Sequence, residues 1–357
     1  MTDQMGATQT LGPVHEISVS GIGAVSPAGW GIDALRSLIE AEDPVLVTDL
    51  ERPGWTAPLR VRRVPAPAPK PAFMTHPRLR RSSPITQYAV GAALEALGAD
   101  PAVARYEEGR LGIITCVMTG CVNYSRRFYD EVLHDPATAS PLLFPETVFN
   151  APASHLAALL DAETISYTLV GDPGTFLHGL ALASAWLFRN EVDECVVLAA
   201  EETDWLTSDA FRYFDRKVTL ADGAAAIALR RGAIAKREVF LKAVTNSYTY
   251  STRQKPAEAA EKMKAELVSS GAADLLCDGT SGSRRFDAPE AAAWRDWNQK
   301  RISPKRNLGE GLAAGSAWQC AIAVDSLLRQ TCESAYVSVV GCNEQAIGAR
   351  FELSSHE

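Results

Sequence analysis

Short strand-like runs alternate with helical runs along almost the whole chain, and this rhythm constrains the fold more than any other feature. Ile17-Ser18-Val19-Ser20-Gly21-Ile22 alternates apolar and small residues as a strand does, and Ile32, Leu35, Leu38 and Ile39 then share one helical face. Buried strands are predicted at Leu111–Val117, Ile165–Val170, Cys195–Ala200 and Ala224–Leu229, then at Phe240–Val244, Asp274–Cys277, Tyr336–Val340 and Ala349–Leu353. Helices are predicted over 85–98, 122–133, 152–161, 175–190, 256–269, 288–299 and 311–330. Apolar β-runs separated by helices imply an α/β protein with a mostly parallel sheet covered on both faces. The second half repeats the rhythm of the first in shorter form. The reading is therefore a frayed tail over 1–14 and two related halves, 15–235 and 236–357, packed into one unit with a seam near 231–238.

Composition sets bounds on function. Of 357 residues, 46% are hydrophobic and 22% charged, as in ordinary globular proteins, and a net charge of −8 gives no general affinity for nucleic acid. No run approaches the roughly 18 apolar residues that span a bilayer, and the N-terminus lacks a basic-then-apolar signal pattern. Seven cysteines, an odd number and mostly in apolar runs, read as reduced thiols of a cytoplasmic protein. Cys116 and Cys121 have no basic neighbour in sequence and read as buried thiols. There is no Cys-x-x-Cys, no His-Glu-x-x-His and no convincing phosphate-binding glycine loop, so neither metal nor cofactor is expected.

Between Arg60 and Arg81 lies the least globular segment. Val64-Pro65-Ala66-Pro67-Ala68-Pro69-Lys70-Pro71 predicts an extended surface loop flanked by Arg60, Arg62, Arg63 and by Arg78, Arg80, Arg81. It is either a docking patch for an acidic partner or a solvated loop.

No histidine lies between His178 and His356. Yet Cys277-Asp278-Gly279-Thr280-Ser281 and Lys305-Arg306-Asn307-Leu308-Gly309-Glu310-Gly311 look like catalytic loops whose proton-handling residue has become a carboxylate. Histidine titrates nearest neutrality and can donate from both ring nitrogens, so this exchange removes one kind of chemistry without disturbing a fold. Thr168-Leu169-Val170-Gly171-Asp172-Pro173-Gly174-Thr175 joins a strand to an apolar helix, the geometry of a nucleophile elbow, but neither Cys nor Ser stands at its tip. Asp172 as N-cap and Pro173 in the first turn account for the segment as structure alone.

These stretches together resemble the β-ketoacyl-ACP synthases. Ile17 to Gly29 is similar to the opening strand and loop of that family, and Phe149-Asn150-Ala151-Pro152-Ala153-Ser154-His155 to its segment upstream of the elbow. Leu177-His178-Gly179-Leu180, Val192-Asp193 and Ala200-Glu201 fit the helix and strand that follow the nucleophilic cysteine, and counting back places that cysteine at Pro173, with Asp172 one register away. Asp278-Gly279-Thr280, followed by Asp287 and Glu290, matches the His-Gly-Thr loop; Lys305–Gly315 matches the second histidine loop with Glu310 at the histidine. Val340-Gly341-Cys342-Asn343 stands, as a poor match, where the family has a glycine-rich gating loop.

The resemblance runs from about residue 15 to 354 and implies a thiolase-like αβαβα fold of two similar halves, normally dimeric. It implies further that nucleophile and both histidines are gone, replaced by Pro173 or Asp172, Asp278 and Glu310. Carboxylates would repel the enolate that histidines stabilise. The same triple loss is seen in chain-length factors, which pair with a cysteine-bearing ketosynthase, shape its acyl tunnel and meet the acyl carrier protein through the complex. Val122, Tyr124, Phe128 and Tyr129 are the implied tunnel-shaping residues, and the arginines of the Pro-rich segment the implied carrier-docking ones. Ordinary core packing is the other reading of the three rings. An alternative function also stands: Asp172, Asp278 and Glu310 converging in one pocket would form an acid/base or metal-assisted acyl site. His155 and His178 fall outside the family's catalytic set and read as structural.

Overall fold

A computed structural model describes residues 16–99, 106, 109–232, 237–251, 255–341 and 344–355. The first half runs β1 (Ile17–Ser26), β2 (Gly29–Trp30), α1 (Ile32–Ala41), β3 (Thr48–Leu50), β4 (Leu59–Arg62), α2 (Pro84–Leu97), β5 (Leu111–Val117), α3 (Val122–His134) and α4 (Ala151–Leu159). It continues with β6 (Thr164–Val170), α5 (Thr175–Phe188), β7 (Glu194–Glu201), α6 (Trp205–Phe211), β8 (Leu220–Ala221) and β9 (Gly223–Arg231). The second half runs β10 (Arg237–Val244), β11 (Tyr248–Thr249), α7 (Pro256–Ser269), β12 (Leu275–Cys277), α8 (Arg284–Ala293) and β13 (Lys300–Ile302). It ends with α9 (Pro304–Leu308), α10 (Ala313–Leu328), β14 (Ser334–Val340) and β15 (Gln345–Ser355).

Two five-strand units carry the same order. The first is β6-β5-β7-β9-β1 and the second β13-β12-β14-β15-β10, joined where β1 meets β10. In each, three neighbouring strands are parallel, the fourth (β9 or β15) is antiparallel to both its neighbours, and the fifth (β1 or β10) therefore runs in the same direction as the first three. Parallel pairing thus holds among three strands of each unit, and four of its five strands share one direction. β9 and β15 return antiparallel, so a hairpin-like reversal closes each half.

The layers follow from burial. α2 and α4 cover the outer face of the first sheet, and α7 and α8 that of the second. α5 and α10 lie between the sheets, and α10 packs against strands of both. Every residue of α10 from Ala313 to Leu327 is buried, and its small residues, Ala-Ala-Gly-Ser-Ala at the start, let two sheets approach one helix. This gives five layers, αβαβα. Gly21 and Gly23 of β1 are required by close approach: a side chain at either would collide with the α2 carbonyl of Ala96 or Ala92.

Several expectations change in the structure. β6 was expected to be buried, but Ile165 is 45%, Tyr167 54% and Val170 54% exposed. The strand is an edge with β5 as its one described neighbour, so one flank and much of its surface face out. The helix expected over 288–299 is Arg284–Ala293, because Asp287 takes the backbone N–H of Ser281 and Gly282 and starts it a turn early. The expected loop 60–81 contains the end of β4 and two short 3-10 turns, although Val64–Lys70 is irregular. The tail 1–14 lies outside the described residues.

Candidate functional site

At the end of β6 the chain turns through Gly171 to Gly174 into α5. The helix begins at Thr175 with Gly174 as its N-cap, so Asp172 is not the cap that the sequence suggested. Its Oδ1 instead accepts the Gly174 N–H at 2.9 Å and the side-chain amide of Gln345. A residue two positions early bonds the turn rather than the helix, which is the reason for the difference. The Gln345 oxygen lies 2.9 Å from His178 Nε2 and accepts the Ser247 hydroxyl at 2.6 Å. Burial pushes the Asp172 carboxyl above the usual carboxylate range, against the bonds from Gln345 and Gly174. Asp172 packs so closely on Gly341 that a Cβ there would overlap its Oδ2. Pro173 is buried, and its carbonyl accepts the hydroxyl of Ser316 on α10.

Asp278 and Glu310, the carboxylates at the two expected histidine positions, are each held by a cation. Asp278, fully buried, takes the guanidinium of Arg301 on β13, the Thr280 N–H at 3.0 Å and the Thr280 hydroxyl at 2.8 Å. Glu310 takes Lys305 Nζ at 2.8 Å and the Leu312 N–H at 2.8 Å. Lys305 is only 4% exposed in its side chain. A Cβ on Gly315 would lie 3.3 Å from Lys305 Cε and 3.6 Å from Glu310 Oε1, so this pair sits at the start of α10.

A cavity of about 480 Å³ opens beside these loops. Glu310, Lys305, Gly279, Glu290 and Gly341 line its inner end, and Phe211, Phe214, Phe286 and Val340 its walls; Asp172 and Asp278 do not line it. Of the three carboxylates only Glu310 lines this cavity; Asp278 is bonded to Arg301 and Asp172 to Gln345. Among the described residues no group of three His, Cys, Asp or Glu side chains is arranged to hold a metal ion. Glu290 accepts the Gly279 N–H at 3.2 Å and the Ser338 hydroxyl. Burial and the neighbouring Asp278 charge push its carboxyl up to about 8.

The remaining expected residues scatter. Helix α3 has no fully buried residue: Val122 and Tyr124 are half-buried, Phe128 packs on Phe144 at 5.6 Å between centroids, and Tyr129 is 61% exposed. Arg60, Arg78, Arg80 and Arg81 face solvent. Arg63 instead pairs with Asp222 at 3.0 Å, and half-buried Arg62 lines a small cleft with Lys305 and Arg306. His155 bonds Glu146 at 2.7 Å. Cys116 and Cys121 are buried free thiols, and burial pushes the Cys121 thiol up to about 12. Cys342 and Asn343 lie outside the described residues. Sequence reasoning missed Arg301, which lies 23 positions from its carboxylate. It also missed Arg212, Arg216, Lys217, Arg284 and Arg285 around the cavity mouth, although basic and aromatic residues interleave visibly over 211–217.

The doubled strand order, the five layers and the elbow facing two glycine loops define the thiolase-like fold of the ketosynthases. Solved structures bear this out. The ishigamide ketosynthase/chain length factor superposes with a TM-score of 0.78 at 18% identity, over 95% of this chain and 99% of that one. A β-ketoacyl synthase from Burkholderia phymatum gives 0.76 at 16%, with the same coverage. A type II polyketide ketosynthase solved with its acyl-carrier protein and bound to the hexaketide gives 0.73 at 14%, again over 95% and 99%. No protein-family model and no curated protein matches the sequence. At these identities the likeness is one of fold, and it spans almost the whole chain. No helix among the described residues is long and apolar enough to cross a membrane.

Proposed function

We propose that this chain is a catalytically silent ketosynthase homologue that pairs with a cysteine-bearing ketosynthase and helps shape its acyl tunnel, as a chain-length factor does. One observation carries the reading: each position that would do chemistry is occupied by a residue unfit for it and fixed by a local partner. Pro173 offers no nucleophile. Asp278 is sealed against Arg301, and Glu310 presents an anion, already bound to Lys305, where a developing oxyanion needs donors.

Pairing is supported by β6, an edge strand with no neighbour beyond β5 among the described residues, which makes it a template for another chain's strand. Upstream of it in sequence stand the exposed apolar side chains Leu133, Leu142, Phe144 and Phe149. Tyr124, Phe128 and Tyr129 on α3 are the residues we assign to the tunnel. Arg60, Arg78, Arg80 and Arg81 are the solvent-facing candidates for meeting an acidic acyl carrier protein through the complex.

Co-expression with a ketosynthase encoded beside it tests the reading. The expected result is a stable one-to-one complex whose product length changes when Phe128 or Tyr129 is cut to alanine. A partner-free protein that elongates acyl-carrier substrates alone would overturn it.

A further inference from the structure

Away from the former catalytic loops, the small sheet β3-β4-β8 leaves one of its edges open. β4 is paired on both flanks, whereas β3 has β4 as its one neighbour among the described residues. Among those residues no hydrogen bond outside that ladder engages the backbone of 46–51, so the outer N–H and C=O groups of the strand are unpaired. Thr48 and Leu50 stand opposite buried Val61 and Leu59, so this face of the hairpin lies toward the core. Asp49, opposite exposed Arg60, lies on the other face.

Apolar side chains bracket this edge, and it carries negative charge. Leu46 before the strand is 86% exposed, and Trp55 in the loop after it is 64% exposed. Trp55 is held in place: its ring centre lies 3.8 Å from the Arg52 guanidinium, which is pinned by Asp209. Asp43, Asp49 and Glu51 are exposed and make no ion pair among the described residues. Arg52 is taken by Asp209, and Arg60 balances one of the three carboxylates at most. A second copy of this chain fits poorly, because edge-to-edge pairing would set these carboxylates against their own counterparts. A strand bearing lysine or arginine on one face meets them with opposite charge. Apolar residues on its other face would continue the side of Thr48 and Leu50.

We propose that the β3 edge is a docking site for an extended segment of a partner protein in which lysine or arginine alternates with apolar residues, added as a fourth strand beside β3. Backbone bonds to the free flank give the affinity. Asp43, Asp49 and Glu51 select the charge, and Leu46 and Trp55 cover the two ends. The edge belongs to a different sheet from β6, on which the proposed pairing with a ketosynthase rests, so the two readings fail separately.

Fluorescence anisotropy of the full chain with labelled Lys-Val-Lys-Val-Lys-Val-Lys tests the site. Single-site binding is expected, and the counterpart with glutamate for every lysine should not bind. Proline in place of the central valine removes a ladder donor and should weaken binding about tenfold. Asp43→Asn, Asp49→Asn and Glu51→Gln together, all on exposed side chains, should also weaken it about tenfold, with the melting temperature unchanged. Trp55→Ala should weaken it about fivefold, whereas Ile165→Lys on β6 should leave it as in the parent protein. No binding of the alternating peptide would overturn the proposal. Equal affinity for the proline peptide would reduce the feature to surface charge and overturn it too. So would binding indifferent to the three neutral substitutions, or binding lost on Ile165→Lys, which would put the peptide on β6.

Discussion

Asp278 shows how a loop can close around a wholly buried carboxylate. Its carboxylate is wholly buried, and such a charge persists only where a cation and further donors replace water. Arg301 supplies the cation, and Thr280 supplies two donors that would equally shape the loop around another residue. Removing one member of a buried pair leaves the other charge uncompensated. Arg301→Met is therefore expected to lower the unfolding free energy by about 3 kcal/mol, the lower part of the range for buried pairs, because Arg301 keeps 31% of its side chain exposed. The double change Asp278→Leu with Arg301→Met should recover most of that loss. Urea denaturation of the three proteins measures both; equal losses in single and double variants would mean that the pair contributes little beyond packing.

At the scale of elements, β6 separates what the sequence discloses from what it conceals. Thr-Ile-Ser-Tyr-Thr-Leu-Val has the apolar, β-branched content of an interior strand, so the sequence places a strand there correctly and its burial wrongly. Exposure depends on whether a second strand lies alongside, and no local pattern encodes that. Leu111–Val117 and the strand at 194–201 were legible because neighbours on both sides reward continuous apolar runs. The loops that carry Pro173, Asp278 and Glu310 were legible too, from their glycines. Their partners were not: Arg301 and Ser316 reach them across the fold from 23 and 143 positions away. The exposed flank leads to a prediction of its own. Ile165→Lys and Tyr167→Lys should each change the stability of the chain by no more than about 0.5 kcal/mol, as exposed substitutions do. Each should also abolish the complex with a ketosynthase, because an edge lysine blocks strand addition. Light scattering of the co-expressed pair decides it, and an unaltered complex would place the interface elsewhere.

The molecule as a whole is organised around carboxyl groups taken out of water. Glu201 accepts the N–H groups of Met118 and Thr119, and Glu202 those of Asn123 and Ile85, so these adjacent residues hold the starts of α2 and α3 against the end of β7. Burial raises both to about 7, and raises Glu290, beside Asp278, to about 8, from an ordinary 4.5. In the unfolded chain all three release their protons through pH 4.5, whereas the native fold retains them. Between those limits the native state holds the extra protons, so rising pH favours unfolding, by up to about 1.4 kcal/mol per pH unit for each group. This contribution to stability is complete below pH 4.5, declines through 7 to 8, and is level above. Surface carboxylates held below their usual range by a bonded cation, such as Asp193 by Arg110 and Asp296 by Lys264, act in the opposite sense and only at lower pH. Melting temperature should therefore fall steadily from pH 5 to pH 8. Between pH 7 and 8, where Glu201 and Glu202 pass from about half to mostly ionised, the larger part of the remaining decline belongs to Glu290, whose carboxyl faces the Gly279 N–H, the Ser338 hydroxyl and the Lys305 ammonium. Glu290→Gln keeps the shape and removes the proton, so its melting temperature should fall over that last unit by roughly half as much as the parent protein's. Identical profiles would mean that Glu290 is already ionised in the fold and that Lys305 is shared between two anions.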